Sequence, residues 1–109
     1  MFDLVEGAAG DEVTAQRNLA AYRGLTLRPR SLAEVGTRSL ATTVLGQDVS
    51  MPVMLAPTGA GRLLHRTAEL AVAGAAADAG TVYMQSTVSA FGFEEVSAAA
   101  RGTAWVQLY

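Results

Sequence analysis

The chain has 109 residues, of which 50% are hydrophobic and 17% charged, a composition that fits a folded globular chain and argues against disorder. Eight basic and ten acidic residues leave a formal net charge of −2, which gives no electrostatic basis for binding nucleic acid or an anionic membrane. Lysine and cysteine are absent and His65 is the one histidine, so lysine chemistry, thiol chemistry and multi-histidine metal sites are excluded within these residues.

No apolar run reaches the roughly 18 residues that cross a bilayer. The first six residues also lack the basic start and apolar stretch of a signal peptide. We therefore expect no membrane segment and a cytoplasmic location.

Residues 1–50 are predicted to lead into the rest of the fold through one helix and an extended segment. Asp11 can cap a helix over 12–23, and Gly24 stands where a left-handed helix stop is expected. Residues 25–30 alternate apolar and polar, and a proline within them favours extended backbone.

A hairpin is predicted at the end of this lead-in. Two short segments, 42–45 (TTVL) and 47–50 (QDVS), flank Gly46. Short β-prone segments on either side of a glycine are typical of two antiparallel strands joined by a tight turn.

Residues 51–109 have a βαβαβ pattern. The predicted elements are a strand over 53–56, a helix over 67–79, a strand over 81–85, a helix over 92–100 and a strand over 104–109. Short α/β units of this kind form parallel sheets, either doubly wound or barrel-shaped. A (β/α)₈ barrel needs about 250 residues. We therefore expect these residues to be the N-terminal portion of a larger α/β unit.

Helical spacing predicts which side chains face the sheet. The predicted inward residues are Leu70, Ala73, Gly74 and Ala77 on the first helix of this region, and Phe93, Val96 and Ala100 on the second. The first of these stripes consists mostly of small residues, so that helix is expected to lie close to the strands.

Several strings of residues together resemble the FMN-dependent α-hydroxy-acid dehydrogenases and oxidases, a family that includes glycolate and lactate oxidases and mandelate dehydrogenase. They are 27–30 (LRPR), 42–46 (TTVLG), 51–59 (MPVMLAPTG), 93–96 (FEEV) and 107–109 (QLY). The family folds as a (β/α)₈ barrel with FMN at the carboxyl ends of the strands. The resemblance implies that residues 1–109 are the N-terminal part of such a domain, with 1–50 as lead-in and 51–109 as the first three strands and two helices.

The resemblance also implies a set of site residues. It assigns cofactor binding to Pro57, Thr58, Gly59, Ser86 and Gln107, and substrate binding to Tyr109. The first three would offer main-chain hydrogen bonds to the flavin ring, because only small residues let a loop approach a planar ring closely. The Gln107 amide, both donor and acceptor, would suit the pyrimidine edge of the ring. No catalytic residue and no metal ligand is expected in this chain.

Each assignment also has a structural interpretation. Residues 57–59 could be an ordinary turn between strand and helix, Ser86 could begin a loop, and Tyr109 could be a frayed terminal residue. Gln107 is harder to explain as filler, because a buried amide requires partners. His65 is expected to form local or capping hydrogen bonds, and Glu94 with its neighbour to stabilise a helix start.

Three positions depart from the family pattern. Leu4 replaces a tyrosine that binds the substrate carboxylate, Val88 replaces a tryptophan of the glycolate-oxidising members, and Gly59 stands where many oxidases have alanine. The predicted function is the FMN-dependent oxidation of a small 2-hydroxy acid to a 2-oxo acid, in a protein expected to form homo-oligomers. The alternatives are a small α/β module that binds a partner through its open sheet edge, and another FMN barrel such as a relative of type-2 isopentenyl diphosphate isomerase.

Overall fold

The structure is a computed structural model that describes residues 2–32 and 36–109. The chain divides into two units, residues 1–36 and residues 37–109. The described residues contain four α-helices, one 3-10 helix and four short strands, which confirms the prediction of an α/β chain. These residues form no closed barrel, and none of their helices has the length and apolar character needed to span a bilayer.

The first unit contains two helices, α1 (Phe2–Glu6) and α2 (Val13–Gly24). The sequence predicted only the second. The predicted Asp11 cap is wrong, because α2 is preceded by Glu12 in the left-handed conformation (φ 59°) without a side-chain cap. The Glu12 carboxylate instead accepts the N–H of Ala8 at 3.0 Å, so it closes the turn that follows α1.

The carboxyl end of α2 also differs from the prediction. The helix ends at Gly24, but this glycine is not left-handed, and the chain leaves through Leu25 in an extended conformation (φ −80°, ψ 123°). Residues 25–30 have no regular secondary structure and are exposed. The large apolar side chains of α2 are exposed as well: Val13, Leu19 and Tyr22.

The second unit begins with the predicted hairpin, β1 (Thr42–Val44) and β2 (Gln47–Val49), which pair antiparallel. Leu45 and Gly46 form the two-residue turn with φ values of 49° and 79°. Positive φ at both turn residues is the geometry that matches the twist of paired strands, and glycine adopts it without strain. The hairpin prediction is therefore confirmed.

The parallel sheet consists of β3 (Tyr83–Gln85) and β4 (Ala104–Val106). The predicted strand over 53–56 is reduced to a single parallel bridge between Leu55 and Tyr83. Its ladder is short because the Val53 carbonyl accepts the hydroxyl of Thr81 rather than a main-chain N–H. The three segments still lie in the predicted order, with β3 in the middle.

Two helices, α3 (Ala68–Asp78) and α4 (Phe93–Ala99), pack on one face of this sheet. The buried core that they form with β3 consists of Ala73, Ala76, Tyr83, Val96 and Ala100. Ala73, Val96 and Ala100 were predicted to face inward. The prediction for Phe93 is wrong, since its side chain is 44% exposed and Phe91 packs against the core instead.

The hairpin is attached to the amino end of β3 through Gly80. This glycine ends α3 with a φ of 65°, as the sequence predicted, and its carbonyl accepts the N–H of Ser50 at 2.8 Å. A Cβ at this position would overlap the Ser50 hydroxyl. Glycine is therefore required both by the backbone conformation and by the close approach of the hairpin.

Candidate functional site at the carboxyl ends of the strands

Ser86 and Gln107 lie side by side. In the parallel register Gln85 is opposite Val106, so the next residues of both strands are neighbours, and the Gln107 N–H donates to the Gln85 carbonyl at 2.8 Å. Because side chains alternate between the faces of a sheet, both point away from the face on which Tyr83 packs against the helices. Two polar side chains thus share one face at the carboxyl ends of adjacent strands.

The Ser86 side chain is 4% exposed and is held by the loop that it begins. Its hydroxyl oxygen accepts the N–H of Val88 at 3.3 Å, and its carbonyl accepts the N–H of Ser89 at 3.1 Å. The loop-starting role is therefore present in the structure. It leaves the hydroxyl hydrogen available as a donor to a bound group.

The amide of Gln107 is unpaired at one end. Its Oε1 is buried and accepts no hydrogen bond from the described residues. The main chain is well fixed, because the Thr87 hydroxyl donates to the Gln107 carbonyl at 2.5 Å. Buried amide oxygens normally have partners, so this end of the sheet fits a ligand that completes the hydrogen bonding.

Gly59 brings the loop after the first strand against these residues. A Cβ at this position would overlap Cγ2 of Val88 and would stand 3.7 Å from the Ser86 hydroxyl oxygen. A side chain here would require Val88 to move, so glycine lets this backbone lie against the loop after β3. The structure therefore brings Gly59, Ser86 and Gln107 to the same end of the sheet.

The other predicted site residues are less closely grouped. Pro57 is half-buried and Thr58 is exposed, and Thr58 lines a separate cavity of about 230 Å³ whose wall includes His65 and Glu69. Tyr109 is 84% exposed. Of the turn over 57–59, only Gly59 therefore lies next to Ser86.

His65 has the local role that the sequence indicated. Its Nδ1 accepts the main-chain N–H of Thr67 at 3.3 Å and lies 2.8 Å from the Thr67 hydroxyl. These bonds stabilise the turn that precedes α3. Since Nδ1 is an acceptor here, the ring proton of the neutral imidazole is on Nε2.

Sequence reasoning missed two buried polar side chains at this end of the sheet. Gln85 is 5% exposed and Glu69, in the first turn of α3, is 2% exposed. Both oxygens of Glu69 and the Oε1 of Gln85 have no partner among the described residues. Burial, followed by the charge of Glu69, raises the pKa of the Tyr83 phenol above its ordinary value. The signal in the sequence was a polar residue at the end of an apolar strand for Gln85 and within the apolar start of a helix for Glu69.

The model of the FMN-dependent dehydrogenase family matches residues 1–109, the whole of this chain. The chain belongs to that family. The 2-hydroxyacid oxidase 2 of Bos taurus is 40% identical over 109 residues, and the L-lactate oxidase of a Nostoc species is 43% identical over 112 residues. Each alignment covers 99% of this chain and 31% of the relative. The chain therefore spans about a third of the length of these relatives.

Solved structures of the family have the same fold over this region. A lactate oxidase of Pediococcus acidilactici superposes with a TM-score of 0.91 at 31% identity, covering 99% of this chain and 30% of that one. A soluble mutant of the membrane-associated (S)-mandelate dehydrogenase of Pseudomonas putida superposes with a TM-score of 0.91 at 36% identity, covering 99% of this chain and 31% of that one. The resemblance seen in the sequence is thus confirmed.

FMN is the cofactor of this family, and the carboxyl-end residues fit it. The unpartnered Oε1 of Gln107 calls for a donor, which the pyrimidine edge of a flavin carries. Gly59 provides a backbone without a side chain next to the Ser86 hydroxyl. Small residues and hydrogen-bonding groups of both kinds are what a planar, polar ring requires.

Proposed function

We propose that this chain forms the N-terminal portion of a (β/α)₈ barrel and one wall of its FMN site, in an enzyme that oxidises a 2-hydroxy acid to a 2-oxo acid. The observation that carries the proposal is the placement of Ser86 and Gln107 on one face at the carboxyl ends of adjacent parallel strands. In barrels of this kind, binding sites form at that end of the strands.

Each residue of the wall has a distinct task. The Gln107 amide forms hydrogen bonds with the pyrimidine edge of the flavin ring. The Ser86 hydroxyl donates a hydrogen bond to the flavin. Pro57, Thr58 and Gly59 present main-chain groups along the ring, where N–H dipoles favour negative charge on the reduced form. When bound, FMN accepts the two electrons that leave the substrate.

The substrate that we infer is a small 2-hydroxy acid, the chemical class named by relatives such as the L-lactate oxidase and the 2-hydroxyacid oxidase 2. Tyr109 is exposed, and its hydroxyl is free to approach such a substrate. Leucine stands at position 4, where the family pattern has a tyrosine that binds the substrate carboxylate, and leucine carries no hydroxyl. The substrate carboxylate is therefore held by other groups.

The groups that remove the substrate proton and clamp its carboxylate are assigned to polypeptide outside these 109 residues, which span 31% of the relatives. A histidine acting as general base and arginines binding the carboxylate suit the chemistry. We expect the 109 residues alone to show no turnover of a 2-hydroxy acid. The cytoplasmic location and the homo-oligomer stay predictions.

The test is a change of Gln107 to leucine in the flavin-bound full-length protein. Gln107→Leu keeps the side chain roughly the same size but leaves flavin polar atoms unpaired, a loss of about 1–3 kcal/mol. The FMN dissociation constant should rise roughly 5- to 150-fold, and the flavin potential should fall because the anionic reduced form loses a donor. FMN titration and redox potentiometry measure the two effects.

Glu94→Gln is the matched control. This residue lies in the first turn of α4 and is exposed, so its change should alter stability by less than about 1 kcal/mol and leave the flavin alone. Equal FMN affinity and potential in Gln107→Leu and the parent would show that the third strand does not face the cofactor. Turnover of a 2-hydroxy acid by the 109 residues with FMN would contradict the assignment of the missing groups.

A further inference from the structure

Gln85, the last residue of β3, adjoins through its main chain both residues that the proposed function assigns to the flavin. Its main-chain carbonyl accepts the N–H of Gln107, and it directly precedes Ser86. Its own side chain is 5% exposed and, by the alternation of the strand, points to the opposite face from Ser86. Gln85 therefore cannot touch a ligand held by Ser86 and Gln107.

The Gln85 amide closes the loop over 86–91. Its Nε2 donates to the Phe91 carbonyl at 2.9 Å. The Ser89 hydroxyl donates to the same carbonyl at 3.1 Å, and its oxygen accepts the Phe91 N–H at 3.3 Å. The Arg62 guanidinium lies 5.2 Å from the centre of the Phe91 ring. These contacts fix the point at which the loop enters α4.

The path of this loop sets the position of Ser86. The Val88 N–H donates to the Ser86 hydroxyl oxygen at 3.3 Å, and the Ser89 N–H donates to the Ser86 carbonyl. Val88, in the same loop, also fills the space above Gly59. Because only residues 87–90 separate Phe91 from Ser86, a displacement of Phe91 should also displace the Ser86 hydroxyl.

A glutamine at this position is unfavourable for folding alone. Its Oε1 is buried with no partner among the described residues, and the preceding residues of the strand, Val82 to Met84, are apolar or aromatic. An apolar side chain of the same size would leave no unsatisfied oxygen. The feature that glutamine adds is the donor to Phe91.

We propose that Gln85 is a positioning residue, whose amide holds the loop over 86–91 so that the Ser86 hydroxyl is oriented toward FMN. The inference rests on the proposed function, because it assumes that Ser86 contacts the flavin. It predicts that the loss of the Gln85 donor is felt at the flavin although the two do not touch.

The experiment compares Gln85→Met with Thr81→Val in the flavin-bound full-length protein. Gln85→Met keeps the length of the side chain and removes the donor. Thr81→Val removes another buried donor to a main-chain carbonyl, that of Val53, at the opposite end of the strand. The readouts are the FMN dissociation constant, the visible circular dichroism of bound flavin and the melting temperature.

Gln85→Met should weaken FMN binding about 3- to 10-fold, the effect of one hydrogen bond, and should change the visible circular dichroism. Thr81→Val should lower the melting temperature without either change. Because Gln85 acts through Ser86, adding Gln85→Met to Ser86→Ala should weaken FMN no further. If Gln85→Met does not fold, Gln85→Leu removes the same donor with a different apolar side chain and should give the same two changes.

The outcomes separate the two proposals. Normal FMN binding and circular dichroism in Gln85→Met, together with weakened binding in Ser86→Ala, would overturn the positioning role and leave the proposed function standing. Normal binding in Ser86→Ala and in Gln107→Leu would overturn the proposed site, and the positioning role with it. Fully additive effects of the Gln85 and Ser86 changes would also contradict the inference.

Discussion

The two ends of the parallel strands differ in how their buried polar groups are paired. At the amino end, the Thr81 hydroxyl donates to the Val53 carbonyl and the Gly80 carbonyl accepts the Ser50 N–H. At the carboxyl end, the side chains of Glu69, Gln85 and Gln107 keep buried oxygens that have no partner among the described residues.

The difference indicates that the amino end of the strands serves stability and that the carboxyl end is suited to binding. Paired polar groups fix the hairpin against the strands and require nothing more. Unpaired ones lower the stability of the isolated fold, by about 1–3 kcal/mol for each neutral group. Such groups are retained where a ligand or a further part of a protein completes them. Changes at the amino end should therefore affect unfolding, and changes at the carboxyl end should affect FMN.

The largest effect is expected at the amino end, from Gly80→Ala. The alanine backbone would have to adopt a φ of 65°, and its methyl group would overlap the Ser50 hydroxyl. Strain and overlap together should lower the free energy of unfolding by about 2–4 kcal/mol. Chemical denaturation measures this loss, and FMN affinity of the folded protein should not change.

Gly102→Ala is the control for that prediction. Gly102 also has a positive φ, 89°, but a Cβ there meets no atom within 4 Å. Its change should carry only the backbone strain, about 1–2 kcal/mol. Equal losses at Gly80 and Gly102 would mean that contact with the hairpin contributes nothing.

A smaller effect is expected at the carboxyl end, from Gly59→Ala. The added methyl group would overlap Cγ2 of Val88. Val88 is 56% exposed and can turn away, so the stability loss should be about 1–2 kcal/mol. The displaced loop should also weaken FMN binding, which titration of the flavin measures.

Val88→Ala should reverse both effects of Gly59→Ala, because it removes the overlapping atom. Alone, this change of an exposed side chain should alter stability by about 0.5 kcal/mol or less. If the double variant is no better than Gly59→Ala, the two loops do not meet as the structure shows. This comparison is therefore a direct check of the close approach at Gly59.

The smallest effect concerns Tyr83, midway between the two ends. Burial, and then the Glu69 charge, raises the pKa of its phenol above 10.0 in the folded protein. The stability that the protonated phenol contributes is complete below its unfolded pKa, about 10, and is lost as the pH rises through the folded pKa. As the pH rises above about 10, the free energy of unfolding of Tyr83→Phe should therefore fall less than that of the parent. A steeper alkaline loss in the variant would contradict this assignment.

Local patterns predicted most of the fold. The hairpin depends on two turn residues, Leu45 and Gly46, and the order of helices and strands after residue 67 depends on apolar spacing. The failures lie where two nearby residues compete for one position. Asp11 is replaced at the start of α2 by a left-handed Glu12, and Phe91 takes the core position predicted for Phe93.

The sequence predicted less of the candidate site than of the fold. The resemblance named Ser86 and Gln107, and parallel pairing of their strands brings them together. The contact between Gly59 and Val88 and the bond from Gln85 to Phe91 join loops whose paths no periodicity describes. Sequence spacing predicts the face on which a strand residue lies, but it does not predict what an irregular loop places opposite that residue.

The hydrogen bond between Thr87 and Gln107 spans only 20 residues of sequence. The entropy lost on closing a chain segment grows only slowly with its length, so closing this segment costs little more than closing a shorter one. One strand–helix–strand unit contains both Ser86 and Gln107, so a single chain closure brings them together. The face that we propose to contact the flavin is therefore built in part from residues that a single strand–helix–strand unit supplies.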